Sequence, residues 1–200
     1  MAIKAMNIDA VHAAGLTLVG EPIAIDLVNT EKLAIDTPID LLRDDAANAI
    51  FWGLERDRLA IPSELPALAD VRSLRASIRS LLESRLADRP PDQAAVDAVN
   101  RSAAAAPTSP RLRLDWESDV ESHANDGAAA LLGDVARSAI DLLTGPDAER
   151  LHRCAADDCS MLFVATNAKR QWCTAAGCGN RQRVARHASR QRGAGVVSAN

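Results

Sequence analysis

Four cysteines confine this chain more tightly than any other feature. Cys154, Cys159, Cys173 and Cys178 all fall in the last quarter of its 200 residues. They form two equal C-x4-C pairs separated by thirteen residues. A short loop within each pair brings two thiolates to one ion, and two such loops complete a tetrahedron. Zn–S distances of about 2.3 Å require that closeness. Four thiolates leave no position for an activated water, so such a site is structural. Two disulfides, an iron–sulfur cluster and unrelated buried thiols are the competing readings. Equal spacing after 153 residues without a cysteine favours zinc, one ion per chain. His152 and His187 lie near enough to replace a ligand, but with four cysteines at hand both are expected at the surface.

Compartment bears on the same choice. No stretch reaches the roughly 18–20 apolar residues of a membrane helix. The opening MAIKAMNIDAVHAAG places Asp9 and His12 where a signal peptide needs an unbroken apolar run. The chain is therefore expected to be cytoplasmic, and reducing cytosol disfavours disulfides.

The net charge of −4 hides a division. From Arg150 onward there are nine Lys and Arg against two acids, or +7, which leaves −11 on the first 149 residues. An acidic body with a basic end points to a polyanionic partner.

The body reads as mainly α (α+β). Aromatic residues are scarce and Tyr is absent, so Leu, Ile, Val and Ala must carry the packing, which suits helices. A short strand is expected at 16–19, then a helix opening at Glu21-Pro22 and ending at Asn29-Thr30. Asp40 is expected to cap a helix reaching Leu54. The clearest helix spans about 63–87, with Leu68, Val71, Leu74, Ile78, Leu81 and Leu82 on one face. Arg72, Arg75 and Arg79 fall on another face and read as solvated. Pro90-Pro91 ends this helix, and an Ala-rich one follows over 92–105. Leu112, Leu114 and Trp116 alternate with polar residues as in a strand. Asn125 or Asp126 caps a last body helix, broken at Gly145-Pro146. That break divides an acidic helical domain over 1–146 from a zinc module over 147–200.

Two motifs carry a family resemblance. Trp172-Cys173 followed by Cys178-Gly179-Asn180-Arg181 resembles the CGNR-type zinc finger. Ile25-Asp26-Leu27-Val28-Asn29-Thr30 resembles the "LDLVNT" opening of the ABATE domain that precedes this finger. The resemblance covers essentially the whole chain. It implies a stress-induced transcription regulator whose finger binds DNA. One departure stands out: Phe163-Val164-Ala165-Thr166-Asn167 lacks the acidic residue the family carries after the Phe.

Beyond Cys178 the chain is rich in arginine. If helical, it sets Arg183, Arg186 and Arg190 on one face, with Val184 and Ala188 turned elsewhere to pack on the zinc knuckle. Arginine suits bidentate contacts to phosphate or guanine. Lys169 and Arg170, in the preceding loop, add candidate phosphate contacts. Arg181 and Asn180 either touch DNA or orient thiolates by hydrogen bonding. Trp172 reads as core. Asp26, Asn29 and Thr30 read as capping and buried hydrogen bonds, with a ligand pocket as the alternative. No phosphate-cradling glycine loop, activated nucleophile or catalytic metal motif is visible, so no enzyme is expected. The reading is a DNA-binding regulator; a zinc-braced module for RNA or acidic proteins is the alternative. Homodimerisation and a small-molecule effector stay open.

Overall fold

The computed structural model describes residues 16, 18–33, 37–59, 62 and 64–196. The chain is mainly α, with three two-stranded antiparallel sheets among the described residues. None of these helices is long and apolar enough to cross a membrane.

Side-chain caps start three of the body helices. Helix α1 (Ile23–Val28) follows Pro22 and is buried along its whole length. Strands β1 (Glu31–Lys32) and β2 (Ile39–Asp40) pair next to it. Helix α2 (Asp45–Glu55) begins where Asp44 accepts from the Ala47 amide at 2.7 Å. Asp44 thus takes the capping role expected of Asp40, whose carboxylate is engaged by Arg75 instead. Helix α3 (Leu68–Leu86) starts with its apolar face, later than the expected position near 63. Pro66 disfavours helical backbone at Leu65, and Ala67 becomes the cap position. Asp92 caps α4 (Gln93–Ala105), and Asp126 caps α5 (Gly127–Thr144). Each accepts the amide three residues on, a contribution of about 1 kcal/mol.

Helices α3, α4 and α5 pack together, and α1 lies against α3 and α5. The core is built mostly from Leu, Ile, Val and Ala, joined by an edge-to-face Phe51–Trp52 pair at 5.0 Å. Gly133 on α5 faces Ala106, and a Cβ at that position would collide with it. Leu16 and Leu18 enter this core, but Leu16, Leu18 and Val19 lie outside any strand. Strands β3 (Thr108–Leu112) and β4 (Ser118–Ser122) form a projecting hairpin. The expected alternation through Trp116 stops at its turn. Trp116 adopts a left-handed φ of 64°, and both Leu114 and Trp116 are exposed.

Two of the three arginines in the α3 stripe are not solvated, whereas Arg72 keeps a side chain 39% exposed. Arg75 and Arg79 are only 4% and 8% exposed. Arg79 donates to the carbonyls of Val28 and Glu31, at 2.6 and 2.9 Å, and pairs with the Glu31 carboxylate. Arg75 forks onto Asp40 at 2.7 and 2.8 Å and also reaches Thr30 Oγ1. The reason is geometric: the end of α1 and the β1–β2 pair cover this face, and their free carbonyls need donors.

After α5 a 3-10 turn (Pro146–Arg150) leads into β5 (Leu151–Arg153), which pairs with β6 (Leu162–Val164). Strand period then sorts the side chains. Leu162 and Val164 join the body core, whereas Met161, Phe163 and Ala165 join a second core containing Cys154, Cys173 and Cys178. The free edge of β6 is satisfied by body side chains. Asn29 and Leu162 exchange two hydrogen bonds of 2.9 Å, and Glu21 Oε2 accepts from the Val164 amide at 2.9 Å.

Asp26 and Glu55 form a buried cluster with a single arginine. Arg58 Nη1 lies 2.7 Å from Asp26 and 3.0 Å from Glu55, while its Nη2 donates to the Glu21 carbonyl. Burial pushes the Asp26 carboxyl up to about 7 against the pull of Arg58. Burial, then repulsion from Asp26, pushes Glu55 up to about 8. Asp26, Asn29 and Thr30 are thus consumed by buried hydrogen bonds and ion pairs.

Two outcomes are expected. Asn29→Ala should leave the buried Leu162 N–H and C=O unpaired and cost roughly 2–4 kcal/mol in chemical denaturation; a loss below about 0.5 kcal/mol would contradict the junction. Raised carboxyl values in the folded state mean that it binds more protons than the unfolded chain. Stability from Asp26 and Glu55 should therefore be complete below the ordinary carboxyl values of 3.8 and 4.5 and fall as pH rises from there to about 7 and about 8. Melts across that window should show the decline, and Glu55→Gln should flatten it. A stability that rises through the window and is unchanged by Glu55→Gln would contradict the cluster's role.

Candidate metal centre and the arginine helix

Two loops deliver the four thiols. Cys154 follows β5, and Cys159 closes the first knuckle by donating its amide to the Ala156 carbonyl at 2.9 Å. Cys173 follows Trp172, and Cys178 lies in a wide turn (Ala175–Gly179) that runs into helix α6 (Asn180–Val196). Thr174 organises this turn: its hydroxyl accepts from the Gly177 amide and its carbonyl from the Gly179 amide, both at 3.0 Å. The knuckles are tied together by Ala155 N–H donating to the Gln171 carbonyl at 2.9 Å.

All four cysteines are free thiols, and their sulfurs lie within 4.8 Å of one another. Cys173 Sγ stands 3.9 Å from Cys159 Sγ and 3.6 Å from Cys178 Sγ. A tetrahedral zinc–thiolate site requires sulfurs about 3.8 Å apart. The spacing therefore fits one zinc ion per chain and leaves no room for a multi-iron cluster. Electrostatics agree. Without a cation, the hydrogen bond from Cys173 holds Cys159 down to about 5 while the Cys173 thiol is forced up. Burial pushes Cys178 up to about 11. Four thiolates coexist here only with a compensating positive ion. The Cys173 amide points at Cys154 Sγ from 3.5 Å, and Arg181 Nη2 at Cys178 Sγ from 3.3 Å. Donors of this kind stabilise thiolate ligands. His152 and His187 are exposed and stand outside the thiol group.

The six basic residues expected to meet nucleic acid divide by environment. Arg170 is turned inward. It donates to Glu21 Oε1 at 2.7 Å, to the Val164 carbonyl at 2.9 Å and to the Cys173 carbonyl at 2.6 Å, with its guanidinium over Phe163. It fastens the finger to the body, because Glu21 supplies a carboxylate 149 residues away in sequence. Arg181 is held by Asp158 at 2.8 Å as well as by Cys178. Arg183 is exposed and donates to the carbonyls of Ala175 and Gly179. Arg186 is exposed, with its guanidinium 5.5 Å from the centre of the half-buried Trp172 ring. Arg190 and Lys169 are exposed. Val184 does not pack on the knuckle as expected: it is 60% exposed, and the core around the thiols is made by Ala156, Met161, Phe163 and Ala165, with Val19 and Trp172 against it.

Helix α6 contains no acidic residue, and its chief packing partner is the turn that carries Cys178. Reasoning from sequence alone missed Glu21, whose role has no local signature. Asn29 was visible in its motif, but its partner on β6 was not.

A family model named ABATE, described as "Putative stress-induced transcription regulator", matches residues 21–146. A CGNR zinc finger model matches residues 150–191. Both describe regulator or finger types rather than enzymes. No curated protein matches the chain. The chain belongs to the ABATE family and carries a CGNR zinc finger after its ABATE domain.

Proposed function

We propose that this chain is a DNA-binding transcription regulator. In this reading Cys154, Cys159, Cys173 and Cys178 hold zinc, and α6 lays its arginines on the duplex. The carrying observation is a 17-residue helix with no acidic residue whose first turn grows out of the thiol cluster. Such a helix is about 26 Å long, and the major groove admits an α-helix. A helix that is polar on every side gains little from packing, so it suits a charged partner.

Arg186 and Arg190 are exposed four residues apart, on one side of α6, with Arg183 one turn earlier. Lys169 adds an exposed cation in the loop before Cys173. The end from Arg150 onward carries +7, whereas the preceding residues carry −11. The body then repels the duplex and restricts contact to the finger. Arg181 has a different role in this reading. Its bonds to Asp158 and Cys178 make it a brace for the zinc site and for the start of α6.

Phosphate neutralisation sets the test. Each phosphate contact contributes a slope of about −0.9 to log affinity against log salt. In the zinc-loaded chain, Arg186→Ala with Arg190→Ala should flatten the slope by up to about two units and weaken binding to all duplexes alike. Fluorescence titration of labelled duplex across a salt series reads both effects. An absence of salt-sensitive binding to any duplex would overturn the DNA reading and leave RNA or an acidic protein as the partner.

A further inference from the structure

Where α3 and α5 end in the three-helix body lies a cavity of about 310 Å³. Its walls are apolar: Leu81 from α3, Val96 and Val99 from α4, and Ile140 and Leu143 from α5. The rim carries Arg85, Arg89, Ser84 and Asn100. We propose that this cavity is a binding site for a small apolar carboxylate, its hydrocarbon part between the three helices and its head group on Arg85 and Arg89.

Three observations carry the assignment. First, neither arginine has an ion-pair partner among the described residues, although the body is strongly acidic. Two nearby acids are engaged elsewhere. Glu83 faces Arg153 and Arg79, and Asp92 accepts from the Ala95 amide. Second, several carbonyls at these helix ends are already bonded, which lessens their repulsion of an anion. Glu83 O and Ser84 O accept from the Ala87 and Arg89 amides. Asp141 O accepts from Gly145, and Ile140 O from the Thr144 hydroxyl. Third, the Arg89 backbone is preset. Its amide is bonded to Ser84 O at 2.9 Å, and Pro90-Pro91 restrict the backbone that follows.

The volume and lining match the general form of ligand sites. A cavity near the small end of the usual range, apolar inside with a few convergent polar groups, takes a small amphiphile. Two guanidinium groups select an anionic head, because a fork of N–H donors matches a carboxylate. The assignment does not depend on what α6 contacts.

The test is calorimetric titration of the zinc-loaded full chain with octanoate and with its neutral counterpart octanamide. Octanoate should bind at one site, at least about tenfold tighter than octanamide. Arg85→Gln with Arg89→Gln should bring octanoate down to the octanamide level. Both substitutions are on exposed side chains, so the fold should be preserved. Val96→Phe, which fills the cavity, should abolish binding of both probes with an unchanged circular dichroism spectrum. Should that variant fail to fold, the arginine pair still decides. The assignment is overturned by an absence of octanoate binding, by equal affinity for the two probes, or by octanoate binding that survives in a folded Val96→Phe chain.

Discussion

One three-residue strand holds this molecule together. In β6 successive side chains turn to opposite faces, so Leu162 and Val164 fill the body while Phe163 fills the thiol-bearing core. A free strand edge would leave buried N–H and C=O groups unpaired. Asn29 and Glu21 occupy that edge as a third strand would, one side chain exchanging two bonds with Leu162 and the other accepting from Val164. Arg170 closes the arrangement by linking Glu21 to the carbonyls of Val164 and Cys173. The orientation of α6 relative to the acidic body follows, because the turn that starts α6 is bonded into the same second core.

The body solves a related problem with buried charge. Its few aromatic residues leave a core of aliphatic side chains, which pack well but tolerate many registers. Arg75 and Arg79 restrict them. Each reaches from α3 to specific groups on the segment spanning 28–40, and a displaced register would strand a buried guanidinium. Breaking such pairs costs several kcal/mol because one charge is left uncompensated.

What was legible in the sequence was what depends on near neighbours. The cysteine spacing, the Asp92 and Asp126 caps and the apolar face of α3 all report interactions within a few residues. What was not legible depends on partners far along the chain. Arg75 and Arg79 look solvated until Asp40 and Val28 are set against them, and Arg170 looks free until Glu21 arrives. Leu114 and Trp116 continue an alternating pattern, yet among the described residues no second layer of structure covers them, and the chain turns there and leaves them exposed. Asp40 lost the cap to Asp44 because α3 offers it two arginines.

In the proposed reading, the metal-braced turn gives α6 the fixed geometry with which it contacts a polyanion. Loss of a structural zinc site removes on the order of 10–16 kcal/mol of binding energy from such a module. The most direct measurement is duplex binding at low salt by the same preparation before and after zinc is removed with a chelator, with metal content recorded in parallel. The account predicts one zinc per chain, loss of tight binding on chelation and its return when zinc is restored. Equal affinity and an equal salt slope in the metal-free protein would contradict it.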